Sequence, residues 1–456
     1  MHAWEKHGME NLFPGFSDFA SLDEIGPIVL SHGEGVHVVD VDGKRYLDAN
    51  SGLWNNVAGF NHQGLIDALC AQARRFPGYH SFFGRVADVT VELSARLIGL
   101  SPFESGKVYY TNSGSEANDT MVKMLWMINR AKGEPERRKI ITRQNAYHGV
   151  TIATASMTAK PYNAEFGLPL PGFLHADCPH FWRHGLPGES EEAFTQRMAR
   201  NLEDLIEREG PETIAGMFAE PVQGAGGVIP PSKGYFQAIR PILRKYGIPL
   251  IADEVICGFG RLGEMWGSDV YAIEPDAIIA SKCLTAGYYP MGAVILGEQL
   301  SSSLMEACER FGEFPHGFTA AGSPLGSAVA LKALDVIENE GLIDNVRKLS
   351  PHFLERLGRL GEHRHAGEAR GIGFMGAIEI VADRNTKAGF DGKIGISERI
   401  ANKALLNGLI CRPLGASVVL APPFIITRSE MDTMFDILEK TIEEVFADVG
   451  PMTGPA

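Results

Sequence analysis

Residues 248–287, IPLIADEVICGFGRLGEMWGSDVYAIEPDAIIASKCLTAG, decide the fold. Two apolar runs, 248–257 and 277–281, read as strands buried on both faces, the pattern of a parallel sheet. The first carries Asp253 and Glu254 to its carboxyl end, and the second delivers Lys282. Outward from this pair, short apolar runs at 107–111, 139–142 and 214–221 alternate with helical patterns at 115–131, 191–208 and 233–246. Such alternation indicates βαβ units, hence an α/β protein with a mostly parallel sheet. Residues 36–50 (VHVVDVDGKRYLDAN) read as a hairpin about a two-residue Asp42-Gly43 turn. From about 323 a long helical pattern begins, and the remainder reads as a separate α+β unit.

The chain has 456 residues, more than one simple core needs, so a large domain with a smaller satellite is expected. Its net charge of −14 argues against nucleic acid or an anionic membrane as partner. Any anionic ligand must be held by local geometry. The six cysteines are scattered, without a C-x-x-C pair or Cys/His ligand spacing, so reduced thiols and no metal site are expected. The opening MHAWEKHGMENLF carries charges where a signal peptide needs an apolar stretch, and no run is long enough to span a membrane. A cytoplasmic location is the expectation.

Four features fall at strand ends, where open α/β sheets bind ligands. In Thr111–Asn118 (TNSGSEAN), Gly114 permits close backbone approach, and the helix that follows offers free N–H groups to an anion. The same residues also read as a plain Ser N-cap. Asp253 arrives on a buried strand, and a buried carboxylate needs a partner. Its neighbour Glu254 points to the opposite face. A structural ion pair would explain Asp253 as well. Lys282 ends an apolar strand, where desolvation would yield the neutral amine that attacks carbonyls, although taken alone it reads as a surface lysine in a strand-to-loop turn. In Tyr147-His148-Gly149 an aromatic beside Gly suits a flat ring, although an ordinary loop would look the same. Together, an anion cradle, an aromatic face, a buried acid and a buried lysine match the parts that bind a phosphorylated pyridine aldehyde.

The motifs NSGSEAN, YHG, EPV, DEV and SKCLTAG, in this order, resemble those of class III aminotransferases, which are pyridoxal 5′-phosphate (PLP) enzymes of fold type I. NSGLWN, YHSFFGR, EFPHGFTA and ICRPLG narrow the resemblance to ω-aminotransferases of the amine–pyruvate type. It implies a large PLP-binding domain at 60–322 around a seven-stranded, mostly parallel sheet between helices. A smaller α+β domain would be formed by 1–59 and 323–456. It implies that Lys282 carries the cofactor as a Schiff base and shuttles the proton, while Asp253 pairs with the pyridinium nitrogen. Gly114 and Ser115 would hold the phosphate. Tyr147, with His148 beside it, would cover one ring face and Val255 the other. Glu220 would support the Asp253 region and the ring hydroxyl. Thr319, with Phe318 beside it, would reach the phosphate from a partner subunit, in a homodimer or tetramer with shared active sites.

The resemblance further implies substrate pockets lined by Phe16, Trp54, Phe82, Phe83, Tyr147, Val150 and Ala225. Arg412 would be a mobile fork for the carboxylate of a keto acid or amino acid. Core packing is the ordinary explanation for such aromatics, and an ion pair for such an arginine. The expected reaction moves an amino group from a primary amine or ω-amino acid to a keto acid, pyruvate, in ping-pong fashion. An aminomutase or decarboxylase on the same fold is the alternative. Ala286 stands where many relatives have Gly, and neither Cys283 nor Gln223 has an assigned role. The resemblance suggests the (S)-amine, and leaves the natural donor open. Two G-x-G-x-x-G matches, at 258–263 and 371–376, raise a dinucleotide-binding oxidoreductase. Neither has the required context: no amphipathic helix follows the first, and the sequence before the second does not read as a strand.

Overall fold

The computed structural model describes residues 11–17, 19, 22 and 26–449. The charged opening segment 1–10, read above against a signal peptide, lies outside the described residues.

Three strands come first: β1 (Leu30–Glu34), β2 (His37–Asp40) and β3 (Arg45–Asp48). The β2–β3 pair is the expected hairpin, but its loop has three residues, Val41 to Gly43, not two. Asp40 Oδ1 accepts the N–H groups of Asp42 and Lys44, and Gly43 takes the left-handed conformation (φ 84°) that closes such a loop.

The central sheet holds seven strands: β4 (Gly106–Thr111), β5 (Lys139–Arg143), β6 (Phe173–Ala176), β7 (Ile214–Ala219), β8 (Leu250–Asp253), β9 (Ala277–Ala280) and β10 (Gly292–Gly297). Their order is β4-β10-β9-β8-β7-β5-β6, with β10 antiparallel to both neighbours and the remaining pairs parallel. The sheet is mostly parallel, as expected; β6 and β10 are strands that the sequence reading passed over.

Alternate residues of each strand face opposite sides. Ile140, Phe218 and Ile279 meet Ala117, Met121 and Leu125 of α1 (Gly114–Ala131) on one side. Ile141, Met217 and Leu250 meet α2 (Glu191–Glu209) and α3 (Tyr235–Lys245) on the other.

The long pattern after 323 is two helices, α4 (Pro324–Asn339) and α5 (Leu342–Leu360), parted at Gly341 with φ 66°. Val329, Ala330 and Ala333 of α4 pack in one core with Cys283, Leu284 and Ala286, so α4 backs the turn that bears Lys282. A further sheet is built from β11 (Ala366–Ile372), β12 (Met375–Ile380), β14 (Arg412–Leu414) and β15 (Ser417–Leu420). Between them β13 (Leu409–Ile410) joins β3 in parallel, tying the first sheet to the late part of the chain.

The second glycine motif requires a correction. The residues before it do form a strand, β11, and Gly373 (φ 57°) makes the turn into β12. It is a hairpin turn with no helix after it, so the dinucleotide reading fails for a different reason than the sequence suggested. No helix among the described residues is long and apolar enough to cross a membrane.

Candidate active site

Strands β4, β8 and β9 end at one cleft of about 240 Å³. Ser113, Gly114, Ser115, Tyr147, His148, Glu220, Asp253, Val255 and Lys282 line it, so the four strand-end features converge.

Ser113 caps α1, its hydroxyl accepting the Glu116 N–H at 3.2 Å, while the Glu116 carboxylate accepts the Asn112 N–H. Helix geometry leaves the next N–H groups, Gly114 and Ser115, without partners inside the helix. They carry the positive end of the helix dipole, which suits a phosphate. A Cβ on Gly114 would stand 2.9 Å from Val255 Cγ2, so only glycine lets the cradle close against Val255. Ser115 Oγ accepts the N–H of exposed Val150 at 3.2 Å.

Asp253 is buried, and each of its oxygens is occupied. Oδ2 accepts Asn118 Nδ2 at 2.8 Å and lies 2.7 Å from His148 Nδ1; Oδ1 accepts the Val255 N–H at 3.2 Å. Glu254 turns the other way and takes the Gly267 and Ser268 N–H groups and the Ser268 hydroxyl. Glu220 does not hydrogen-bond to Asp253. Its oxygens hold the N–H groups of Tyr147 and Gly224, at 3.0 and 2.9 Å, and burial pushes its carboxyl up.

Lys282 follows β9 with φ 43°, a left-handed conformation that is strained outside glycine. Burial pulls its ammonium below the usual lysine range, against a smaller upward pull from Asp253. Ala286, four residues on, is also left-handed (φ 50°), which explains why glycine would suit that position. The Cys283 thiol donates to the Trp54 carbonyl at 3.5 Å, tying the lysine turn to the aromatic wall. The Gln223 amide donates to the Gln144 carbonyl at 2.8 Å.

Trp54 is fully buried, its indole N–H donating to Asn50 Oδ1 and its ring packed on the face of Gly224. The Arg412 guanidinium lies 5.7 Å from the Trp54 ring centre, and no carboxylate among the described residues pairs with it. Burial lowers its pKa, yet an arginine remains charged. Phe16 meets Tyr162 edge-on at 5.8 Å, and Ala225 is buried in the loop after β7.

Phe82, Phe83, Phe318 and Thr319 are not brought to Lys282 within one chain. Phe82 and Phe83 line a separate apolar groove of about 660 Å³ with Tyr109, Pro315, His316 and Gly317. The Phe82 ring presses on Gly317, Phe318 is half-buried against His316, and Thr319 is exposed. The sequence reading missed Asn118, which its position one turn into the buried face of α1 could have suggested. It also missed Lys160, half-buried near Glu220 and Arg412 and lowered by that burial; nothing in the local sequence marks it.

The residues fit a phosphorylated pyridine aldehyde. The cradle closes only because Gly114 lacks a Cβ, a doubly held acid faces the cleft, and a desolvated lysine stands opposite. One His/carboxylate group among the described residues, His180 with Glu368 and Glu379, lies elsewhere, its acids already held by Arg370 and Arg183.

Known proteins resemble the chain over nearly its whole length. The family model Aminotransferase class-III matches residues 20–442. A PMP-bound aminotransferase structure from Vibrio fluvialis superposes with a TM-score of 0.97 at 63% identity, covering 99% of this chain and 100% of that one. An ω-aminotransferase from Paracoccus denitrificans also gives 0.97, at 61% identity, covering 98% of this chain and 100% of that one. Mitochondrial gamma aminobutyrate transaminase 1 from Solanum lycopersicum is 42% identical over 439 residues, 96% of this chain and 85% of that protein.

Proposed function

The chain belongs to the class III aminotransferases, a PLP-dependent family, and we propose that it transfers the amino group of a primary amine or ω-amino acid to pyruvate. One observation carries this reading: Arg412, charged, without a carboxylate partner among the described residues, and laid over an aromatic wall beside the cleft. An arginine so placed can grip a carboxylate through its fork. Turned away, it leaves Trp54 and Tyr147 to accept an uncharged amine. One site then serves both halves of a ping-pong cycle. The likeness to an ω-aminotransferase from Paracoccus denitrificans supports the same reading.

PLP, when bound, supplies a carbonyl carbon for amine exchange and a ring that accepts the Cα electrons. The protein's residues do the rest. Lys282 would anchor the cofactor, and its neutral amine is placed to take the proton from the substrate Cα and to give it back as an acid. Asp253, oriented by Asn118 and His148, would face the ring nitrogen and favour its protonated form. Gly114 and Ser115 would hold the phosphate, and Tyr147 and Val255 would pack the ring faces. Glu220 fixes Tyr147 and Gly224, and so the wall around them.

Phe82, Phe83, Phe318 and Thr319 complete the site of a second copy, which explains their distance from Lys282. The six unpaired thiols suit a reducing, cytoplasmic setting.

The test measures alanine formed from pyruvate with an aryl alkylamine, and separately with an ω-amino acid. Arg412→Ala should raise the pyruvate KM by about a hundredfold, the scale of a lost charged pair, and leave the amine half-reaction within a few-fold. Equal losses on both halves would remove the reading.

A further inference from the structure

Arg370 lies on β11, outside the catalytic sheet, and is 8% exposed. Its Nε donates to the carbonyls of Gly227 (3.1 Å) and Val228 (2.9 Å). One terminal nitrogen donates to Gly227 O (2.7 Å) and Ser417 Oγ (3.1 Å). The other meets Glu368 (2.9 Å) and Glu379 (2.6 Å).

The loop it grips is a closed one. Gln223 and Ile229 exchange backbone hydrogen bonds at its base, and the Gly227 and Val228 N–H groups fold back to Gly224 O. Val228 has φ 51°, a left-handed conformation that a β-branched residue adopts only when its surroundings impose it. Two successive carbonyls held by one rigid guanidinium supply that constraint. The tip of the loop carries Ala225. On one side Gly224 meets Trp54 and gives its N–H to Glu220; on the other a Cβ on Gly226 would stand 2.7 Å from the Asn145 carbonyl. Ala225 therefore sits between the aromatic wall and the segment that leads to Tyr147.

We propose that Arg370 is a positioning residue that clamps the 223–229 loop in a strained shape, and thereby sets how large an alkyl group the Ala225 side of the pocket admits. This rests on the amine-transaminase reading above, with Ala225 lining the pocket. The guanidinium fork, not the charge, does the clamping: Glu368 and Glu379 would be balanced equally well by a lysine, but a lysine cannot hold both carbonyls.

The experiment compares the holoenzyme with Arg370→Lys, taking kcat and KM for 1-phenylethylamine and 1-phenylpropylamine with pyruvate, and the visible band of the bound cofactor. One extra methylene against a fixed apolar wall costs on the order of tenfold or more. Arg370→Lys should shrink that discrimination by about fivefold or more, chiefly through the propyl donor, with the cofactor band unchanged. Val228→Gly, which accepts the left-handed conformation without strain while Arg370 keeps both carbonyls, should retain the discrimination and offset part of its loss when combined with Arg370→Lys. Unaltered discrimination in Arg370→Lys, whether through proportionate losses on both donors or full wild-type behaviour, overturns the clamp. Absence of turnover of both amines by the unmodified chain overturns the amine-transaminase reading itself, and is seen before any variant is made.

Discussion

Lys282 is held by opposing forces. Burial disfavours its charge, and the nearby Asp253 carboxylate favours it, with burial the stronger. The neutral amine is the form that attacks an aldehyde, so a lowered pKa moves the reactive window to lower pH. Uptake of PLP by cofactor-free protein, followed as growth of the visible band, should rise with pH through a midpoint below 10.5 and then level off. Asp253→Asn removes the anion that stabilises the ammonium, so its midpoint should fall further. A midpoint at 10.5 or above, or an upward shift in that variant, would contradict the assignment. The same shift touches stability: between the lowered pKa and 10.5 only the unfolded chain binds the proton, so this group's contribution rises with pH across that window. The place of Lys282 and Asp253 at one cleft was legible in the sequence because each ends an apolar run and the four strand-end features were read together. Lys160 and Arg370 were not, because only tertiary contact reveals what surrounds them; Asn118 had only its place on the buried face of α1 to mark it.

The amino end of α1 is where a helix start becomes a binding feature. Both sequence readings of NSGSEAN, a cap and an anion cradle, describe it, but they belong to different residues. Ser113 is the cap; Gly114 and Ser115 present the free N–H groups. Ser113→Ala should therefore cost about 1 kcal/mol of stability and also weaken PLP binding, since the cap orients the first turn. A melting curve and a cofactor titration on the same protein check both. A loss of stability with unchanged cofactor affinity would separate the cap from the cradle. Other elements were harder to read. The run GAVILG of β10 is apolar and bounded by glycines, which does not distinguish it from any buried segment. The pattern after 323 continues across Gly341, since apolar spacing persists on both sides of a left-handed break. The hairpin was located correctly and its loop misjudged by one residue, because Asp40 uses its side chain as well as its backbone.

At the scale of the whole molecule, the expected site residues fall in two places. The cleft at Lys282 contains the acid, the cradle and one aromatic, while Phe82 and Phe83 line a groove elsewhere with Thr319 exposed near it. Family resemblance named all of these as site residues, but no pattern within a chain tells which copy's site a residue would serve. Complementation tests the division. Lys282→Ala lacks the anchoring amine but keeps a sound 313–320 segment. Thr319→Asp keeps Lys282 but sets an anion where a phosphate is to be held, and like charges at close range repel strongly in a partly dry site. Each variant alone should be inactive. A hybrid isolated through a different tag on each chain has one site with Lys282 from the second chain and Thr319 from the first, both intact. Its other site has both defects. In a two-fold dimer the hybrid should then recover about half of wild-type activity per dimer. Without recovery, each site would have to be complete within its own chain, and the aromatic groove would need another purpose.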